Sequence, residues 1–186
     1  MLCAAASNAA SNVIPDDGPP GRPGGAPTGF APLEAMGATA LAKPAFLSGG
    51  GGLVSTAADY LRFVELLRRG GSYDGGRLLG SRTIALMTRN HLPGNQDLET
   101  FGRPLFAETP LRGVGFGLGV SMVIDPVRYG VLSSLGDYSW GGAASTAFYV
   151  DPVEDVTVGF YTQLLPSSTL PIRNHLRQLV NQALVD

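Results

Sequence analysis

The chain has 186 residues, 44% of them hydrophobic, which is enough for one domain with its own core. Its formal charge of −2 leaves no basic field to hold a polyanion, so nucleic acid is excluded as an expected partner. With 26 glycines and 14 prolines it is glycine-rich, yet short of the composition of disordered or collagen-like chains.

Cys3 is the only cysteine, and His91 and His175 are the only histidines. An internal disulfide is therefore impossible and a cysteine–histidine zinc set is nearly excluded, so neither a metal nor a cofactor is called for. No apolar run reaches the roughly eighteen residues needed to span a bilayer. The start, MLCAAASNAASN, has neither a charged n-region nor an adequate apolar core for export. The expectation is a soluble, cytoplasmic chain with no membrane span.

Residues 1–29 include PDDGPPGRPGGAP and follow neither a helical nor a strand period, which predicts a disordered tail. Residues 30–186 then form the expected domain, with helices and loops over 30–112 and strands plus a closing helix over 113–186. The four glycines at 49–52 allow a turn without steric cost. In TAADYLRFVELLRRGG, Thr56 and Asp59 have capping-box spacing. Tyr60, Phe63, Val64 and Leu67 share one face, Arg68 and Arg69 suit a helix C-terminus, and Gly70 ends it. SYDGGRLL predicts a turn into a short extended piece, Ser81 is the expected cap of a second helix through SRTIALMTRN, and 91–112 reads as a long loop.

Beyond that loop, GVGFGLGVSMVID alternates, with Val114, Phe116, Leu118, Val120, Met122 and Ile124 on one face and mostly glycine on the other. This predicts a single strand whose bare face admits a neighbouring element closely. STAFYVDPVEDVTVGFYTQ gives two β-branched and aromatic runs joined by DPVED, a predicted hairpin. In TLPIRNHLRQLVNQALVD, residues Ile172, Leu176, Leu179, Val180, Ala183 and Leu184 recur at helical spacing, predicting an amphipathic helix over one sheet face. The fold class is α+β: two early helices, an antiparallel sheet of about three strands, and a C-terminal helix.

Nucleophilic catalysis needs an exposed nucleophile and a base to take its proton. No GxSxG elbow is present. His175 falls on the apolar stripe of the last helix and His91 follows a helix end, so both read as structural. GGGGLVST precedes a helix, but the GK followed by Ser or Thr of a phosphate loop is absent. The acids of DPVED and PDD read as turn chemistry. In WGGA, Trp140, Gly141, Gly142 and Ala143 put the only tryptophan beside bare backbone. Spacing leaves two readings open: a tight bend or bulge packed on an aromatic, or exposed amides able to stabilise an oxyanion.

Taken together, SGGGGLVSTAADYLRFVELLRRGGSYDGGRLLGSRTIALM, GVGFGLGV and GDYSWGGAASTAFYVDPVEDVTVGFYTQ resemble the C-terminal half of the serine β-lactamase-like family. That family joins class C β-lactamases, penicillin-binding proteins and family VIII carboxylesterases. The resemblance implies a partial β-lactamase-like fold in which the serine of an SxxK motif attacks an acyl carbonyl. Its lysine and a tyrosine of a YxN-like motif handle the proton, and a third motif at a sheet edge completes the pocket. That motif is KTG in many β-lactamases and WGG in many of the esterases. Trp140, Gly141 and Gly142 match it, and Ala143 takes the place whose amide joins the oxyanion hole.

An indole offers apolar area and one neutral donor where a lysine would attract a carboxylate, so the match favours uncharged acyl esters. Lys43 is the only lysine and the residue three before it is Ala40, so no SxxK can be written. Tyr138 abuts the third motif, where the family's tyrosine is not found, and does not take its role. The resemblance thus implies a carboxylesterase-type fragment acting on small-molecule esters or amides once the missing N-terminal half supplies nucleophile and base. The alternative is a noncatalytic binding or interaction module that retains the Trp140 pocket.

Overall fold

The structure, a computed structural model, describes Lys43, Leu47 and residues 53–102, 111–165, 167 and 169–184. The predicted tail over 1–29, the glycines at 49–52 and residues 103–110 of the predicted loop lie outside the described residues.

Helix α1 spans Ala57–Arg68 and starts as its sequence dictates. The Thr56 hydroxyl accepts the Asp59 N–H at 3.1 Å and donates to the Asp59 carboxylate at 3.0 Å, occupying one of the donors a helix N-terminus leaves open. Val64, Leu66 and Leu67 are its buried residues, whereas Phe63, expected inside, is 39% exposed. The chain then forms a hairpin of β1 (Ser72–Tyr73) and β2 (Gly76–Arg77). Its two central residues, Asp74 and Gly75, both have positive φ, the backbone twist that suits a two-residue hairpin turn.

Helix α2 spans Ser81–Met87 and is shorter than expected. Gly80, rather than Ser81, is its N-cap, with no side-chain capping bond, and Thr88 follows as C-cap. The predicted loop after it contains a 3-10 turn at Pro93–Asn95 and helix α3, Leu98–Phe101. Asp97 creates α3. Its carboxylate accepts the Thr100 N–H at 2.9 Å and the Gly113 N–H at 3.0 Å, and Arg128 pairs with it at 2.8 Å. Bonds to Thr100 and Gly113, with the charge of Arg128, hold its pKa down at about 2.

The main sheet has five antiparallel strands rather than three, lying side by side in chain order. They are β3 (Val114–Phe116), β4 (Ser121–Val123), β5 (Tyr138–Gly141), β6 (Ala147–Asp151) and β7 (Val156–Phe160), with helix α4 (Pro126–Tyr129) between β4 and β5. The single strand predicted over 113–125 is a hairpin of β3 and β4. It turns at Gly119, whose φ of +91° is costly for any other residue, and closes with the Gly117 N–H on the Val120 carbonyl at 2.8 Å. The expected close approach at its glycines does occur. A Cβ on Gly117 would lie 2.0 Å from the Met87 carbonyl oxygen, and one on Gly115 would lie 2.5 Å from the Asn90 side chain. Asn90 also accepts the Phe116 N–H at 3.0 Å, and the His91 N–H reaches the Phe116 carbonyl at 2.8 Å, so the outer edge of β3 is not left bare. The DPVED hairpin between β6 and β7 forms as predicted, with Asp155 at positive φ.

One sheet face carries Met122, Tyr138, Phe148 and Val150, and against it pack Val64 and Leu67 of α1 and Ile84 of α2. Each side chain of this kind, fully removed from water, contributes about 1.5–3 kcal/mol. The final helix, α5 (Ile172–Ala183), covers the opposite face, as expected of a closing helix. Its buried residue, however, is Arg177, while Leu179 of the predicted apolar stripe is 65% exposed. Arg177 bonds the Asp137 carboxylate and lies over the Tyr149 ring at 4.6 Å, so this contact is ionic rather than aliphatic.

Candidate active site

Trp140 and Gly141 sit at the end of β5. Trp140 pairs with Phe148 and Gly141 with Ala147, so WGG leads into the β5–β6 turn. In that turn the Ser145 N–H donates to the Gly142 carbonyl at 3.1 Å and the Gly142 N–H donates to the Thr146 carbonyl at 3.0 Å. Ser145, the last residue of that four-residue turn, takes a φ of +62°, so the three-residue hairpin loop ends in a left-handed residue. Its hydroxyl ties the loop to the Leu164 carbonyl at 2.9 Å.

A four-residue turn consumes the carbonyl of its first residue and the N–H of its last, leaving the N–H of the second unused. That second residue is Ala143, which is exposed, and no bond among the described residues reaches its N–H. The Gly142 N–H is spent inside the loop, and of the turn's two alanyl N–H groups left unbonded among the described residues, Ala144 belongs to a buried residue and Ala143 to an exposed one.

The indole of Trp140 is 39% exposed and meets Phe116 edge to face, with ring centroids 5.0 Å apart. A hollow beside it is lined by Tyr60 and Tyr161 on one side and by Trp140, Gly141, Gly142 and Phe148 on the other. Its volume is about 10 Å³, room for a single water. Tyr60 stacks edge-on against Phe148 at 5.8 Å and Tyr161 at 6.2 Å, which fills the remaining space with rings. The acyl side of the site is thus not enclosed by the described residues. A larger hollow of about 360 Å³ lies at the β1–β2 hairpin, an open surface formed by a turn.

Neither histidine joins this constellation. The His91 ring donates to the Leu86 carbonyl at 2.8 Å from its Nε2, and His175 is exposed on α5. Tyr138 is buried on the α1 face, and burial pushes its hydroxyl up to about 12, poor tuning for a base. No group of three or more His, Cys, Asp or Glu able to hold a metal occurs among the described residues.

Sequence reasoning missed a cation at this corner. Arg173 of α5 donates through Nη2 to the Gly142 carbonyl at 2.6 Å and to the Thr146 carbonyl at 3.1 Å. It reaches them by crossing the bare side of Gly141, where a Cβ would lie 2.5 Å from the guanidinium carbon. The only trace of this in the sequence is a glycine where a strand would favour a larger residue.

A family profile described as Beta-lactamase matches residues 4–182. The chain belongs to the beta-lactamase family. Within it, the chain is 38% identical over 137 residues to Protein Rv1367c of Mycobacterium tuberculosis (strain ATCC 25618 / H37Rv). The same identity and span relate it to Uncharacterized protein MT1414 of Mycobacterium tuberculosis (strain CDC 1551 / Oshkosh). Each match takes in 72% of this chain and 33% of the relative, so the beta-lactamase-family chain spans about a third of the relatives it matches.

Among solved structures it is similar to EstCE1, a hydrolase with promiscuous acyltransferase activity, with 28% identity and a TM-score of 0.58 over 77% of this chain and 34% of that one. It shares the fold of simvastatin synthase LovD from Aspergillus terreus, with 19% identity and a TM-score of 0.56 over 71% of this chain and 35% of that one. No helix among the described residues is long and apolar enough to cross a membrane.

Proposed function

We propose that this chain carries the oxyanion corner of a carboxylesterase-type serine hydrolase, and that a segment outside it supplies the attacking serine and its base. The observation that carries the reading is exposed Ala143, whose N–H has no bond among the described residues and which lies three residues after Trp140 in a closed turn. When a serine hydroxyl adds to an ester carbonyl, the carbonyl oxygen gains a negative charge. A fixed amide aimed at that oxygen stabilises the charge without reorganising. The second donor of such a hole would come with the nucleophile. The half-exposed indole gives the neighbouring acyl group an apolar wall and no counter-charge, which suits uncharged esters.

The match to about a third of each longer relative supports the fragment reading, and the likeness to EstCE1, a hydrolase with acyltransferase activity, supports acyl chemistry. Domain limits follow from the same proposal, with residues 30–186 completing their core and pocket against the missing half. A short-chain nitrophenyl ester is the test substrate. The chain alone should turn it over at background rate, and the chain combined with an N-terminal half of the family bearing SxxK should turn it over readily. Replacing Ala143 by lactic acid, which removes its N–H and makes the Gly142 carbonyl a weaker ester acceptor, should lower kcat of the complemented enzyme by about 10²–10³-fold. Unchanged turnover after that replacement would refute the assignment.

The noncatalytic alternative draws on the exposure of Trp140 alone. Under it, the isolated chain should gain thermal stability from an apolar ester, and Trp140→Ala should abolish that gain.

A further inference from the structure

We infer that Arg173 is a positioning residue that strengthens the Ala143 donor through the peptide bond it shares with Gly142. This rests on the reading of Ala143 as the oxyanion donor. The carbonyl that Arg173 grips at 2.6 Å and the N–H of Ala143 are two ends of one peptide unit. A guanidinium is always charged, so its bond to that oxygen is charge-assisted and draws electron density out of the amide. The N–H at the far end becomes a stronger donor, because hydrogen bonds along a chain polarise one another.

The placement is built, not incidental. Nη2 also reaches the Thr146 carbonyl at 3.1 Å, and Nε reaches it at 3.3 Å, so one planar group spans both ends of the loop. The Gly142 carbonyl accepts from Ser145 and Arg173 together, using both lone pairs. Arg173 lies in the first turn of α5, which fixes its approach from the sheet face opposite α1. Gly141 is bare because a side chain there would occupy the guanidinium's path. On this account the middle glycine of WGG serves the cation behind the strand, and the substrate meets only the peptide in front.

The inference is tested first on the chain itself, by the carbonyl carbon resonance of Gly142 and the amide proton resonance of Ala143. Arg173→Ala should move both upfield by more than any amide in β7, and added guanidinium, below denaturing concentration, should move them part of the way back. Arg173→Lys keeps the charge but not the fork, and should shift them less. The Lys variant decides if the Ala variant does not fold. Resonances that stay in place in a folded variant, or that move no more than those of β7, would overturn the inference.

In the complemented enzyme, Arg173→Lys should lower kcat about tenfold with KM held within about twofold, since only the charged transition state feels the weaker donor. The two claims fail separately. If deleting the Ala143 N–H leaves turnover intact while the resonances still respond to Arg173, the proposed function falls. If the deletion costs turnover but the resonances ignore Arg173, only this inference falls.

Discussion

On one face of the sheet, Val64 and Leu67 of α1 press on Phe148 and Val150, with Val64 and Val150 both 0% exposed. On the other, the most buried side chain of α5 is the 5%-exposed Arg177, and it meets the 0%-exposed Asp137. The first face gains from every methyl removed from water. The second must offset the desolvation of two charges before it gains anything, and does so with an ion pair plus the faces of Tyr149 and Tyr129. It does so incompletely, because Asp137 Oδ1, Asp151 Oδ2 and the Tyr149 hydroxyl are buried with no hydrogen-bond partner among the described residues. The comparison teaches that α1 is held by adhesion and α5 by register. Only register can set Arg173, one turn from Arg177, under the WGG loop.

The largest effect should come from breaking the ionic face. Above about pH 7, where Asp137 is charged, Arg177→Ala leaves its carboxylate buried without its counter-charge and should cost about 3–5 kcal/mol in denaturant unfolding. Changing both partners to Leu and Met should restore most of that loss, because a dry apolar contact needs no compensation. The apolar face should respond differently. Leu67→Ala should cost about 2–4 kcal/mol, chiefly as a cavity, with no single partner change able to restore it.

A pH titration sharpens the contrast. Burial pushes the Asp137 carboxyl up to about 7 and the nearby Asp151 adds to the rise, against the pull of Arg177. The folded chain therefore keeps a proton that the unfolded chain releases near its ordinary value of about 4. Stability should fall as pH rises from about 4 to about 7 and level off above that, a slope that Asp137→Asn removes. The smallest effect belongs to the cap of α1: Thr56→Ala should cost about 1 kcal/mol, read from the unfolding midpoint.

Legibility in the sequence follows the same division. The Thr56–Asp59 cap and the DPVED hairpin were readable because each is made by residues a few positions apart. The turn at Gly119 was hidden because the alternation of Phe116, Leu118 and Val120 continues through it without interruption. Strand β5 was hidden because YSWG lacks a β-branched run, its strand form coming from pairing with β4 and β6 on either side. The α5 face was misread for a physical reason. Apolar spacing points leucines inward, but a carboxylate 40 residues earlier in the chain selected Arg177 instead. At the candidate site, WGGA could be singled out from its residues, whereas Arg173, 31 residues from the carbonyl it holds, left only the bare Gly141 as a trace.

The order of the strands has a consequence for synthesis. The five strands of the sheet lie in the order in which they leave the ribosome, so each finds its predecessor already in place. Helix α1 has no such advantage, since the Glu65 carboxylate waits for the Thr157 hydroxyl 92 residues later. At about 5–20 residues per second that is an interval of roughly 5–20 s in which its apolar stripe has no sheet to cover it. During that interval the nascent chain offers a sticky amphipathic rod to any holdase nearby, and the newborn protein is most vulnerable to aggregation then.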